Sequence, residues 1–240
     1  EDKFFEKAKK FAMYADTDGG LHTGEANREC IKEHQTDKDK KTVVLYASEK
    51  NAQHSYIQNA KAKGYSVILL DSPLTSHLLQ KLEHEHENTT FARVDSDLID
   101  NLIKKDETRV AKLSDKQKEE LKTRLETIVP TEKFTLKLED MDSTEAPLII
   151  TVPEFMRRMK EMQMTGGGGM MGMGDFPDMY DLIVNANHPL ASKILDTEDA
   201  DARGTAVNQA LDLAKLQQNL LHGEELTAFI ARSYEMLGNE

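Results

Sequence analysis

Cysteine is nearly absent. Cys30 is the only one in 240 residues, so the chain cannot close a disulfide on itself, and a reducing compartment suits it. Basic charge is also short. The 31 Lys+Arg stand against 43 Asp+Glu, a net charge of −12, and a chain this acidic matches a phosphate backbone poorly, so no nucleic-acid partner is expected. No apolar run approaches the ~20 residues that span a bilayer, and no signal peptide opens the chain, so no membrane partner is expected either. The chain begins Glu1-Asp2-Lys3 rather than with Met, as a piece of something longer would. Hydrophobic residues make up 38% and charged residues 31%, which is polar, yet the apolar positions recur in periodic blocks as a folded chain requires.

The blocks predict an α/β unit followed by an α+β one. Residues 2–15 place Phe4, Phe5, Ala8, Phe11 and Ala12 at helical spacing, and a weaker helix covers 24–34. Thr42–Ala47 and Tyr65–Leu70 are short runs apolar on both faces, and Thr90–Val94 is a third. Helices over 52–63, with Gly64 at its C-cap, and over 74–83 alternate with them. Strands apolar on both faces that alternate with helices indicate a parallel sheet covered on both sides, a small three-layer α/β subdomain. Polar helices are expected over 96–105 and 114–129, the second opened by a capping box at Ser114–Gln117 and stopped by Pro130. Lys133–Leu138 alternates as a half-exposed strand, with Pro147–Val152 as its partner. A helix from Pro153 to Met164, a strand over 179–184, a short helix Pro189–Leu195 and helices over 202–221 and 224–237 complete the chain. The change of texture after Asp95 places a domain boundary near residues 96–110.

Catalytic patterns are missing. The loop after the first apolar strand, Ser48-Glu49-Lys50-Asn51, has no glycine to bring amides to a phosphate, and Glu49 would repel one. The glycines Gly166–Gly169 lack the Gly-Lys-Ser/Thr that completes a P-loop. His84 and His86 sit two residues apart, on opposite sides of a helix, and no other histidines have ligand spacing, so no metal site is read. Cys30 has no basic cluster nearby to lower its pKa. No catalytic residue is assigned.

Methionine stands out. Of eleven, eight lie within 156–179. Val152, Phe155, Met156, Met159 and Met162 form one helical stripe, with Arg157, Arg158 and Lys160 on the other side. Such a stripe is ordinarily core. Here it runs into a glycine-rich stretch carrying Met170, Met171 and Met173, which orders poorly, and methionine adapts to many partners. An adaptable apolar binding surface is the favoured reading, with thioether Cu(I) binding as the metal alternative. The last two helices carry a second surplus. Val207, Leu211, Ala214 and Leu221 form one face, and Leu213, Leu216 and Leu220 an adjoining one, an arc of roughly 220°. Leu226, Phe229, Ile230 and Leu237 follow at i, i+3, i+4 spacing with Tyr234 beside them. Two helices this apolar read as half of a four-helix bundle completed by a second copy. Residues 175–240 hold 4 Lys+Arg and 12 Asp+Glu, so the rim of that bundle is solvated.

The ordered set Asp2–Ala8, Thr42–Ala47, Gln53-His54-Ser55-Tyr56, Gly64–Pro73 and Asn185-Ala186-Asn187-His188-Pro189-Leu190 resembles the heat-shock protein 90 chaperones in their bacterial form. The last stretch is similar to that family's Asn-Pro-Asp-His-Pro-Leu, with Ala186 and Asn187 as departures. The resemblance implies the end of the middle domain over 1–96 and the C-terminal dimerisation domain over 97–240. It implies a cytoplasmic, ATP-driven stress-response chaperone that homodimerises and binds non-native client proteins. Its ATP and magnesium site would lie upstream of Glu1, leaving this stretch without cofactor or enzyme activity. The client-contacting helix corresponds to 152–164, so Phe155, Met156, Met159, Met162 and the Met170–Met173 loop are the expected client face. The dimer face is expected at Val207, Leu211, Leu213, Leu216 and Leu220 and at Leu226, Phe229, Ile230, Tyr234 and Leu237. The chain ends Leu237-Gly238-Asn239-Glu240, not in Met-Glu-Glu-Val-Asp, so no tail-reading co-chaperone is expected. The alternative is a small-molecule enzyme on the 42–94 unit, with a ligand at the strand ends near Ala47 and Leu70–Asp71.

Overall fold

The computed structural model describes residue 7 and residues 11–105, 109–163 and 179–238, with backbone alone at 164–165. The chain divides into two compact units: Glu1–Asp106 with Val152–Phe176, and Glu107–Thr151 with Pro177–Glu240. The helix that follows Pro153 thus clusters with the α/β part, whereas a single cut near residue 96 would assign it to the other.

In the first unit the sheet order is β2 (Leu21–Thr23), β1 (Met13–Asp16), β4 (Val67–Leu69), β3 (Thr42–Ala47), β5 (Thr89–Arg93). β4, β3 and β5 are parallel, in the register Leu45↔Val67 and Val44↔Phe91. α1 (Gly24–Ile31) precedes β3, α2 (His54–Ala62) links β3 to β4, and α3 (Thr75–Glu85) links β4 to β5. β3 carries five consecutive buried residues because it is central and covered on both faces. Gly64 takes φ +77° just past α2, where its amide and that of Tyr65 satisfy the carbonyls of Lys61 and Ala60. The helix expected through residue 15 is corrected at its end: Met13–Asp16 adds antiparallel to β4, so the sheet is mixed. The helix expected over 96–105 shrinks to one turn, α4 (Ile99–Leu102), because Ser96 and Asp97 use their side chains on local backbone groups.

The second unit has a three-stranded sheet, β6 (Phe134–Glu139), β8 (Tyr180–Asn185), β7 (Leu148–Thr151). β6 and β7 were expected to pair with each other. Instead β8 lies between them, parallel to β6 and antiparallel to β7. The reason is polarity: Leu182, Ile183 and Val184 are all buried, as a central strand demands, whereas β6 alternates and suits an edge. The apolar core gathers Leu121 and Leu125 of α5 (Asp115–Glu126), Leu136, Ile150, Leu182, Ile194 of α7 (Pro189–Asp196), and Val207, Leu211 and Ala214 of α8 (Ala200–Gln217). Ser114 and Gln117 form the capping box that starts α5. His188 starts α7 by accepting the Leu190 amide on Nδ1, and Asp199 starts α8 by accepting two amides. α8 stops at Gln217, short of the expected 221, where Asn219 turns to φ +56°. α9 (Gly223–Gly238) folds back along α8.

Candidate functional site

The helix Glu154–Thr165, α6, carries two opposed stripes. At 100° per residue Arg157, Glu161, Glu154 and Arg158 fall within an arc of about 100°, and Phe155, Met156, Met159 and Met162 occupy the opposite side. An ordinary amphipathic helix turns its apolar stripe inward. α6 docks on its own unit with the charged stripe.

That stripe lands on the carboxyl ends of the parallel strands. Tyr46, next to last in β3, is fully buried and donates to Glu154 Oε1 at 3.2 Å. Arg157, 7% exposed, donates to the Tyr46 hydroxyl, to Glu154 and to Glu161, and its guanidinium lies 5.6 Å from the Tyr46 ring centre. Arg158 forks onto Glu83 of α3 at 2.7 and 3.1 Å, and also donates to the Phe91 carbonyl and to Glu154. Glu161 accepts from Ser76 of α3. Beneath this layer Arg93 forks onto Asp95, which also accepts from Gln53 Nε2 at 2.8 Å. Burial pushes the Glu154 carboxyl up, but the Arg157 and Arg158 guanidiniums outweigh it and hold the group below its ordinary range. Burial first, and Glu154 second, push the Tyr46 phenol well above its usual value.

Strand ends of this kind are where an open α/β sheet binds small ligands. Here the chain's own groups fill the position. The amides of Ser48 and Glu49, which a phosphate would need, donate to Gln53 Oε1 at 2.8 and 3.0 Å. A phosphate such as that of ATP therefore finds these two amides already taken. Among the described residues no three His, Cys, Asp or Glu side chains gather to hold a metal ion.

The outward stripe is the expected client face. Phe155 is 71% exposed, and Met156, Met159 and Met162 are half-buried. Met170, Met171 and Met173 lie outside the described residues. The expected dimer face divides. Val207, Leu211 and Phe229 are buried in their own unit. Leu220 and Leu226 are half-buried, and Leu213, Leu216, Ile230, Tyr234 and Leu237 are exposed, the last two at 71% and 77%. The α8–α9 contact is strongly polar: Arg232 reaches Asp212 and Gln209, and Gln209 donates to Ser233 at 3.0 Å. Sequence reasoning missed Tyr46, Gln53, Glu83 and Asp95 as site residues. It set Arg157 and Arg158 opposite the methionines but did not read Glu154, Arg157, Arg158 and Glu161, at i, i+3, i+4 and i+7, as a stripe of their own.

Two units that each leave part of an apolar stripe uncovered, with no metal cluster among the described residues, fit a chaperone, and the sequence comparisons place the chain beside chaperones. No protein-family model matches the chain. The chaperone protein HtpG of Porphyromonas gingivalis is 38% identical over 220 residues, 90% of this chain and 32% of its own length. HtpG of Bacteroides thetaiotaomicron and of Bacteroides fragilis are each 32% identical over 304 residues, 99% of this chain and 44% of theirs. The chain is a homologue of the HtpG chaperones, of the heat-shock protein 90 family, over nearly all of its length, and it spans about a third to under a half of the relatives it matches.

Proposed function

We propose that the chain supplies the client-binding and self-association surfaces of an ATP-driven chaperone. The observation that carries the reading is the inverted docking of α6, which leaves Phe155, Met156, Met159 and Met162 on the side away from its ion pairs. A non-native client covers this stripe transiently, each Å² of apolar surface contributing about 25 cal/mol. Methionine suits many clients because its unbranched thioether repacks around differing shapes. Met170, Met171 and Met173, outside the described residues, are assigned to the same client face. ATP binding and hydrolysis are assigned to parts of the full-length relatives outside this stretch, which itself turns nothing over. The setting is the cytoplasm, and no helix among the described residues is long and apolar enough to cross a membrane.

Self-association uses the hairpin of α8 and α9. Its inner contact is strongly polar, so Leu213, Leu216, Ile230, Tyr234 and Leu237 are left outward for a second copy. Replacing Met156, Met159 and Met162 with Ser tests the client face: suppression of client aggregation falls while circular dichroism is unchanged. Unchanged suppression by a folded variant contradicts the assignment, and so does unfolding, which would make the stripe a packing element. Light scattering on the whole chain should give a dimer mass at micromolar concentration, and a monomer for Leu216→Lys with Tyr234→Lys. A monomer before substitution removes the self-association reading.

A further inference from the structure

The geometry points to Arg158 as a positioning residue: with Glu83 it forms a polar latch that fixes which side of α6 faces outward. This rests on the client-face reading and adds how that face is held. Arg158 makes four hydrogen bonds, two to Glu83, one to the Phe91 carbonyl and one to Glu154. They tie three elements, α6, α3 and β5, at one point. The fork to Glu83 is an ion pair from the stripe to α3, 75 residues away in sequence, and Glu161 adds a looser one to Arg93 at 3.9 Å. The Arg157 pairs to Glu154 and Glu161 and the Arg158 pair to Glu154 are internal to α6; the bonds of Arg157 and Glu154 to Tyr46, and of Glu161 to Ser76, support the same roll without a charge-to-charge fork.

Apolar packing tolerates sliding, because any greasy side chain fills any greasy groove of similar volume. A guanidinium forked onto a carboxylate tolerates little, since both bonds require coplanar approach. The apolar stripe by itself would favour rolling inward. The latch opposes that roll, and it does so with charge. Arg158 and Glu83 retain 17% and 26% side-chain exposure, so dissolved salt reaches the pair. Docking by charge therefore weakens as salt rises, whereas docking by methionine would not.

The test uses hydrogen exchange of the α6 amides in the whole chain. Arg158→Met keeps bulk and removes the fork; Glu83→Gln keeps shape and removes the charge. Each should speed exchange across 154–163 by about tenfold or more, with the double variant no faster than the faster single. Arg158→Lys should recover part of the protection, because it restores charge without the fork. In the unaltered protein, raising sodium chloride to about 1 M should speed exchange in the same segment. Unchanged exchange in Arg158→Met, or protection indifferent to salt, overturns the latch. Client suppression by Arg158→Met, measured alongside, should fall as the stripe rolls inward. The two readings fail separately: the latch fails on exchange, and the client face fails if the triple methionine variant still suppresses aggregation.

Discussion

Helices α6 and α8 are both amphipathic, and they dock in opposite senses. α8 sinks Val207, Leu211 and Ala214 into the core of its unit and still leaves Leu213 and Leu216 outside. α6 sinks Arg157, Glu154 and Arg158 against Tyr46 and Glu83 and leaves Phe155 outside. The contrast separates two ways of keeping apolar surface available. α8 has more greasy side than one neighbour can cover. α6 has an ordinary apolar stripe, held outward by charges on its reverse. On the proposed reading the first arrangement serves a second copy of the chain, and the second, docked through charge, serves transient clients.

Substitutions sharpen the contrast. Leu211→Ala should have the largest effect, about 2–5 kcal/mol off the stability of the second unit by chemical denaturation, since it empties a closed core. Arg157→Ala comes next. Removing one partner of a buried pair costs up to about 3–5 kcal/mol, less here because Glu154 keeps Arg158 as a partner and some exposure. That loss should register in the melting of the first unit and leave the second unchanged. Acid makes the same distinction. Glu154 is held below its ordinary value, so its contribution is complete above about pH 4.5 and disappears as pH falls through its lowered pKa. Protection of α6 should fall in that window before α8 loses any. The smallest effect belongs to His188, whose Nδ1 must be unprotonated to accept the Leu190 amide. Burial depresses its pKa, so the cap is intact above about pH 6.5 and is lost as pH falls further. His188→Asn should abolish that pH dependence, at a cost under about 1 kcal/mol in thermal melts.

The strands of the first unit were legible because β3 and β4 are apolar on both faces, a pattern few other structures produce. The capping box at Ser114 and the glycine after α2 were equally plain, since each is a local hydrogen-bond arrangement. The order β6-β8-β7 was not legible, because adjacency in sequence suggested a hairpin and only the burial of β8 on both faces argues otherwise. The methionine stripe of α6 was visible, but its direction was not. Direction depends on Glu83, Tyr46 and Asp95, which lie 59 to 108 residues from Glu154, and periodicity within one helix carries nothing about them. Likewise, a helical wheel over 207–237 showed an apolar surplus, but not that Val207 and Leu211 are the part kept indoors.

A photoreactive phenylalanine analogue placed at 155 and, separately, at 213 tests the central claim most directly. Irradiated with a denatured client, the residue at 155 should form adducts with the client, and the residue at 213 should join two copies of the chain. Client adducts at 213 alone, or none at 155 in a folded protein, would contradict the account.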